Sequence, residues 1–249
     1  MDSLINLVSK SIVITGAASG IGRETAIVAS KLGASVALVD ISEDGLLSTM
    51  GEMEGDSHRH YVADLSDIDS LKNLTEQIVS EMGIVQGLVH CAGISSRKPL
   101  NVLRKDGFNK VMDINFYSFV ELTRLLTKRK HFSDGGSIVV MSSISSIKGY
   151  KAKTEYCVSK AAVDAFVRCM ALELADRKIR VNSVMAAEVL TPLAQKAREL
   201  NESMGVANME APLGPSEPYE VANTIAFLLS DATKTITGTH LLIDGGATI

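Results

Sequence analysis

The feature that most constrains this chain is a buried strand that leads directly into a glycine turn and a helix. The run Ser11–Thr15 is apolar without a break, as in strands covered on both faces. The turn Gly16–Gly22 follows, and then an apolar helical stripe that reaches Leu32 and closes at Gly33. Glycines let a backbone approach a pyrophosphate, and a helix N-terminus offers free N–H groups. A plain turn is the alternative. The residues predicted to line this phosphate site are Gly16, Ser19, Gly20, Ile21 and Gly22.

Short apolar runs alternate with amphipathic helices along the rest of the chain. The helix beginning near Ile68 is the clearest, with apolar positions at helical spacing as far as Met82. This alternation predicts an α/β fold with a doubly wound parallel sheet of about seven strands and helices on both faces. We expect one domain over residues 1–249, because no linker or repeat interrupts the pattern. Residues 186–218 have weaker periodicity and hold most of the prolines, which predicts a substrate lid.

Two acids follow predicted strands at the edge where such sheets bind ligands. Asp40 ends the second strand, 18 residues after Gly22 (40 − 22), where a dinucleotide fold expects an acid that bonds the ribose hydroxyls. Capping the next helix is the alternative for Asp40, although Ser42 is itself a good cap. Asp64 follows the third strand and either touches the adenine edge or opens the loop. Their neighbours Ile41 and Leu65 belong to the same predicted region.

The candidate catalytic group is Tyr156 with Lys160, four residues apart and therefore on one face of a helix. A tyrosine ordinarily titrates near pH ~10, and a nearby lysine cation favours its phenolate. This spacing alone is weak evidence, since it arises often by chance. Ser143 at the end of the fifth strand strengthens it, as does Asn115 within the long helical region 104–130. Asparagine is a mildly poor helix former, so it is either a tolerated surface residue or a purposeful perturbation of the helix.

Taken together, these motifs resemble the short-chain dehydrogenase/reductase family over essentially the whole chain. The resemblance implies a Rossmann-like single domain that transfers a hydride between a nicotinamide and a secondary alcohol or ketone. It implies that Tyr156 passes the proton, Lys160 lowers the pKa of that tyrosine and bonds the nicotinamide ribose, and Ser143 holds the substrate oxygen. Asn115 would hold a water that links Lys160 to solvent. By the same resemblance Asp64 is the adenine-site acid and Thr191 the threonine beside the nicotinamide.

The remaining site predictions follow from the same resemblance. The further cofactor contacts expected are Cys91, Ala92, Gly93 and Val189, and the expected substrate contacts are Ser95, Ser145, Tyr150 and Glu188. The chain departs from the family pattern twice. His90-Cys91 stands where the family usually has two asparagines, which we interpret as a structural variation, with a catalytic His90 as the alternative. Ala186-Ala187-Glu188 stands where the family usually has Pro-Gly.

The net charge and the composition limit the classes of partner that we expect for this chain. The net charge is −4, and Lys128–Lys130 is the only basic run, best interpreted as a solvated helix end, so no nucleic acid is expected. No long apolar run or signal peptide is recognised, and therefore no membrane partner is expected. The three cysteines lack metal-ligand spacing, so we expect no metal and a reducing, cytoplasmic location. Relatives usually assemble through their long helices, which implies a homotetramer or a homodimer.

Cofactor and activity are predicted with alternatives. Asp40 favours NAD(H), because NADP(H) carries a phosphate where this carboxylate is expected; NADP(H) remains the alternative. Within enzymes, the alternative is a 3-oxoacyl-(acyl-carrier-protein) reductase that uses NADPH. A non-catalytic dinucleotide sensor on the same fold is a third hypothesis. It is disfavoured because such proteins typically lose the tyrosine or the lysine, and all four catalytic positions are filled here.

Overall fold

Seven parallel strands form one sheet in the order β3-β2-β1-β4-β5-β6-β7. The structure is a computed structural model and describes residues 5–203 and 211–249. The strands are β1 (Ser11–Thr15), β2 (Ser35–Asp40), β3 (Arg59–Val62), β4 (Val85–His90), β5 (Phe132–Ser143), β6 (Arg180–Ala186) and β7 (His240–Ile243). The helices are α1 (Gly20–Lys31), α2 (Glu43–Met50), α3 (Leu71–Met82), α4 (Lys105–Met112), α5 (Ser118–Leu126), α6 (Thr154–Glu173), α7 (Pro192–Ser203) and α8 (Pro218–Leu229). The predicted doubly wound fold is confirmed.

The sheet is buried on both faces, which explains why its strands are apolar without alternation. On one face, α1, α2 and α8 pack on the even-numbered residues of β1, Ile12 and Ile14. On the other face, α3, α5 and α6 pack on residues such as Val13 and Leu88. Strand order reverses between β1 and β4, so the crevice outside their carboxyl ends is where this fold places a ligand.

The glycine turn lies at that reversal and has no room for side chains. Gly16 has φ +70°, and a Cβ there would lie 2.7 Å from the backbone nitrogen of Ala92. A Cβ on Gly22 would lie 2.2 Å from the Gly16 carbonyl oxygen. The turn therefore packs against the loop after β4, and glycine is needed at both positions.

The long helical region predicted over 104–130 is two helices joined by a π-turn, Asp113–Tyr117. α4 ends at Met112 and α5 begins at Ser118, so the extra residue falls around Asn115. Such one-turn π-bulges are often found at functional sites. Of the two alternatives for Asn115, a surface residue is excluded because Asn115 is buried, and the perturbation of the helix is a π-turn.

The segment predicted as a lid contains more regular structure than its weak periodicity indicated. It leaves β6, pairs through an isolated bridge between Val189 and Ser216, and carries the twelve-residue helix α7. α7 was not recognised because its surface is strongly polar and gives little apolar signal. Positions 204–210 of this segment lie outside the described residues.

Candidate active site

A cavity of about 490 Å³ opens at the carboxyl edge of the sheet. Its lining includes many of the residues singled out from the sequence: Ile21, Cys91, Gly93, Ser95, Ser143, Ser145, Tyr150, Tyr156, Lys160, Glu188, Val189 and Thr191. They arrive from the glycine turn, the loops after β4, β5 and β6, and helix α6. Ligand sites are typically concave, of this size and largely preformed. The topology therefore gathers distant parts of the chain around one space.

Ser143, Tyr156 and Lys160 meet on the wall of this cavity. Ser143 ends β5, and its hydroxyl bonds the Tyr156 phenol. Lys160 lies one turn of α6 further on, with its Nζ 5.8 Å from the centroid of the tyrosine ring. The Lys160 ammonium donates to the carbonyl of Met141 at 2.8 Å. The lysine is thus anchored to β5 and covers the ring of the tyrosine.

Burial, rather than the lysine, dominates the titration of this tyrosine. Desolvation raises the pKa of Tyr156 to about 12, and the hydrogen bond from Ser143 partly opposes that rise. Burial also lowers the pKa of Lys160 to about 8, because the charged ammonium is taken out of water. The expected lowering of the tyrosine pKa by Lys160 is therefore absent here, since Lys160 bonds Met141 instead of the phenol oxygen.

Asn115 is buried behind the cavity and ties three segments together. Its Oδ1 accepts from the backbone nitrogen of Ile94 at 2.8 Å, and its Nδ2 donates to the Ile94 carbonyl and to Ser159 Oγ, each at 3.0 Å. Its amide also approaches Gly93, whose Cβ would lie 3.3 Å from Oδ1. The π-turn therefore aims this side chain at the loop after β4 and at α6, next to Lys160.

The helix N-terminus at the glycine turn suits a pyrophosphate. Ser19 precedes α1 without a capping hydrogen bond from its own side chain, and the first turn of α1 contains no acidic residue. The backbone donors there are consequently uncapped by side chains, with the positive end of the helix dipole beside them. Thr191 lies across the turn, because a Cβ on Gly20 would be 3.2 Å from its methyl group. These residues fit a dinucleotide along this edge.

Asp40 joins the glycine turn to the end of β2. Its carboxylate accepts from the backbone nitrogens of Ala18 and Ser42, each at 3.1 Å. Ser42 itself caps α2 by accepting from Gly45, so Asp40 is not needed for that role. Ile41 beside it is 65% exposed and brings no charge. The carboxylate stands at the ribose end of the predicted cofactor site.

Asp64 is exposed and accepts hydrogen bonds within the loop that follows β3. Its Oδ1 accepts from the backbone nitrogen of Ser66 at 2.9 Å and from the Ser66 hydroxyl at 2.7 Å. These hydrogen bonds lower the pKa of Asp64. Of its two predicted roles, contact with the adenine and a structural role at the start of the loop, the structural role is observed directly. Leu65 is buried and anchors the loop in the core.

His90 is a structural bridge in this fold. It is buried, stacks on Phe119 with centroids 5.3 Å apart, and contacts Thr15 Oγ1 at 2.9 Å and Ser118 Oγ at 3.4 Å. Burial and the nearby Lys160 charge lower the pKa of His90 to about 3, so the ring is neutral at physiological pH. Burial raises the pKa of its neighbour Cys91 to about 12, which keeps that thiol protonated. Both groups are poorly suited to acid–base work.

On the other side of the cavity, Glu188 pairs with Arg198 of α7. Ser145 is buried and donates its backbone N–H to Ser143 Oγ at 3.2 Å, which orients that hydroxyl. Ser95 and Tyr150 are half-buried in the wall.

The sequence analysis missed the strongest charge feature of the cavity. Arg97, Lys148, Lys151 and Lys153 also line it. The signal was present as three lysines within six residues, but Arg97 lies some fifty positions earlier in the chain. The only run recognised, Lys128–Lys130, is exposed beyond the end of α5. Among the residues described, no group of side chains suits a metal ion, and no helix is long and apolar enough to cross a membrane.

The strand reversal and the glycine turn are those of a nucleotide-binding α/β fold. Residues 16–248 match a family model described as enoyl-(acyl carrier protein) reductase. A 3-oxoacyl-(acyl-carrier-protein) reductase of Thermotoga maritima is 35% identical over 248 residues, covering 98% of this chain and 100% of the relative. A D-threitol dehydrogenase of Mycolicibacterium smegmatis is 31% identical, covering 100% of this chain and 96% of the relative.

Solved structures agree. A Brucella melitensis crystal structure described as a short-chain dehydrogenase/reductase, glucose/ribitol dehydrogenase, superposes with a TM-score of 0.89 at 26% identity, covering 98% of this chain and 99% of that one. A dehydrogenase/reductase from Sinorhizobium meliloti gives a TM-score of 0.88 at 28% identity, covering 98% and 97%. This chain belongs to the short-chain dehydrogenase/reductase family of oxidoreductases.

Proposed function

We propose that this chain interconverts a secondary alcohol and a ketone with NAD(H), using Tyr156, Ser143, Lys160 and Asn115. The observation that carries this proposal is the meeting of Ser143, Tyr156 and Lys160 on one wall of a cavity that also borders the glycine turn. A nicotinamide supplies hydride chemistry when bound, and the protein supplies position and electrostatics.

The roles of the chain's own groups follow from their bonds. Ser143, oriented by the backbone N–H of Ser145, holds the substrate oxygen beside the phenol. Tyr156 gives or takes the proton on that oxygen. Its raised pKa means that the resting enzyme holds the phenol form, ready to donate to a ketone. Lys160 keeps a positive charge near the ring, and Asn115 fixes the loop and helix that set this distance.

NAD(H) is the cofactor that the nucleotide side favours. Asp40 presents a carboxylate where NADP(H) would bring a phosphate, and Ile41 offers no compensating charge. Arg23, the nearest cation in the sequence, is paired with Glu52. Two like charges about 4 Å apart repel by up to ~4 kcal/mol at an effective dielectric near 20, before screening.

The segment after β6 acts as the lid in this proposal. Val189 and Thr191 border the nucleotide side, while Glu188 and α7 border the substrate side. α7 is held to the base of the lid through the Glu188–Arg198 pair. Residues 1–249 then form one catalytic domain, with the lid at about 186–218 as its one specialised segment.

An assembly of two or four copies is supported by an exposed stripe on α6. Val158, Ala161, Ala165, Cys169 and Leu172 recur at helical spacing and are all exposed, Leu172 by 81%. Light scattering should give a dimer or tetramer at micromolar concentration, and Leu172→Glu should shift it toward the monomer. A wild-type monomer would contradict this part of the proposal.

The function is tested by cofactor turnover. Initial rates with a panel of secondary alcohols and ketones, each with NAD(H) and with NADP(H), should identify at least one pair that turns over faster with NAD(H). Nucleotide binding is measured separately by quenching or transfer of NADH fluorescence. Binding without turnover on any member of a broad panel would favour the sensor hypothesis.

The second candidate, a 3-oxoacyl-(acyl-carrier-protein) reductase using NADPH, is favoured by the 35% identical Thermotoga maritima relative. Asp40 opposes it on the nucleotide side. A 3-oxoacyl thioester joined to an acyl carrier protein, compared with the same acyl group as a free acid, discriminates the two candidates. Faster reduction of the carrier-bound thioester with NADPH would replace the first candidate with this one.

A further inference from the structure

The substrate side of the cavity is strongly cationic in a chain whose net charge is −4. Its described lining holds six basic side chains and one acid, Glu188. The basic residues are Arg97, Lys148, Lys151, Lys153, Lys160 and Arg198. Glu188 forms an ion pair with Arg198, and its charge also favours the protonated form of Lys153 from a longer distance. Lys160 belongs to the tyrosine and is bonded to Met141. Four cations therefore remain on one wall.

Arg97 and Lys153 are the two of these four that are half-buried; Lys148 and Lys151 are exposed at the rim. Arg97 donates to the carbonyl of Lys151 at 2.9 Å, which fixes its guanidinium against the loop that leads into α6. Lys153 Nζ lies 5.5 Å from the ring centroid of Tyr150 and 5.4 Å from that of Tyr156. Both cations are thus held by neutral groups.

The two charges also oppose each other. Burial lowers the pKa of Lys153 below its usual value, and the charge of Arg97 lowers it further. Burial likewise lowers the pKa of Arg97. No carboxylate among the described residues lies within ion-pair distance of either cation. A half-buried pair of like charges costs free energy unless something of opposite charge is bound between them.

The position of Lys153 ties this charge to the reaction. The Lys153 ammonium packs over the ring of Tyr156. A substrate of a few carbon atoms can therefore reach from the phenol oxygen to this ammonium. A substrate whose carbonyl reaches Tyr156 would therefore carry its next polar group toward Lys153 and Arg97. Arginine suits planar, bidentate oxyanions, and lysine binds as a point charge.

We propose that the substrate is a secondary alcohol or ketone that carries a small anionic group, a carboxylate or a phosphate monoester, bound by Arg97 and Lys153. This inference rests on the proposed function for the reacting oxygen, but the anion site itself does not require turnover. Lys148 and Lys151 raise the positive potential at the rim and attract the anion toward the opening.

Binding of simple probes tests the site without knowledge of the substrate. Calorimetric titrations use the ligand-free protein and the protein saturated with NAD, at low ionic strength. Glutarate is compared with glutaramide, which has the same length and no charge, and glycerol 3-phosphate is compared with glycerol. We expect at least one anion to bind ten-fold or more tightly than its neutral partner. Equal affinities within both pairs would overturn the proposal. The pair with the larger ratio identifies carboxylate or phosphate.

Variants locate the binding. Lys153→Met keeps the length and packing of the side chain and should abolish the preference for the anion. Lys72→Met, on the exposed face of α3 and outside the cavity lining, is the matched control and should leave that preference unchanged. Arg97→Gln should weaken the binding of the anion by about ten-fold. Retained NADH binding by this variant serves as the control that it is folded. An undiminished preference for the anion in Lys153→Met would overturn the assignment of Lys153 to the anion site. If the wild-type protein does not bind NADH, that result counts against the proposed function alone.

Discussion

The two ends of the proposed ligand site carry opposite charges. The nucleotide end, beyond the cavity lining, carries Asp40 and Asp64, and the nearby Arg23 is paired with Glu52. The substrate side presents Arg97 and Lys153 without a described carboxylate partner. Both sides are built on the same sheet edge, and Tyr156 lies where they meet. In the proposed function, the carboxylate of Asp40 disfavours the ribose phosphate of NADP(H), and the cationic end binds an anionic group of the substrate.

Tyr156→Phe should give the largest effect and test whether the two sides share one reaction centre. The change keeps the ring under Lys160 and Lys153 but removes the hydroxyl that transfers the proton. We expect turnover to fall by ~10²-fold or more, typical of losing a general acid, with binding on both sides preserved. Steady-state rates and NADH fluorescence measure the two quantities. Near-normal turnover would rule out the proposed mechanism.

His90→Phe tests the bridge between the two sides. The phenyl ring can still stack on Phe119 but bonds neither Thr15 at the end of β1 nor Ser118 beside the π-turn. Leaving those buried hydroxyls with fewer partners should cost about 1–3 kcal/mol of unfolding free energy. Urea denaturation measures that loss. If stability is kept while turnover falls a hundred-fold, His90 is a catalytic group after all.

Asp40→Ala breaks the asymmetry on the nucleotide side only. Removing the carboxylate should relax the preference for NAD(H) over NADP(H) by about ten-fold, equivalent to ~1.4 kcal/mol. The ratio of kcat/KM for the two cofactors with one substrate is the measurement, and the ratio of glutarate to glutaramide binding should stay constant. Equal values for the two cofactors in the wild type, or a preference for NADPH, would show that Asp40 lacks this role.

Glu188→Gln should give the smallest effect and sharpen the comparison on the substrate side. It removes the one carboxylate described in the cavity lining, which makes the surrounding potential more positive. For an anionic substrate we expect KM to fall by about two-fold, the size typical of a partly exposed charge. Unchanged Michaelis constants for substrate and cofactor would confine Glu188 to holding Arg198.

Much of this architecture could be predicted from local sequence. The alternation of apolar runs and amphipathic helices predicted about seven strands, the glycine spacing placed the turn before α1, and Ser42 was identified as a cap that frees Asp40. These features depend on neighbours a few residues apart. The fold could consequently be predicted from hydrophobic periodicity and turn residues.

Features that depend on distant parts of the chain were not recoverable. Arg97 and Lys153 line the same cavity only because the loops after β4 and β5 lie side by side, and no local sequence pattern predicts that. The direction of the Tyr156 titration was also missed, because burial and the bond between Lys160 and Met141 are tertiary facts. α7 gave too little apolar contrast to be recognised.

The π-turn at Asp113–Tyr117 has a consequence for how this enzyme tolerates changes in chain length. A π-turn holds one residue more than the α-helical ladder requires. Deleting a single residue there would let α4 and α5 join in one regular helix without a large rotation of either, because the deletion removes the extra residue. The buried face of α5 would keep its place in the core, so the protein would still fold. Asn115, however, would turn away from Ile94 and Ser159. A one-residue deletion at this point would therefore preserve the fold and change the orientation of Asn115 in the active site.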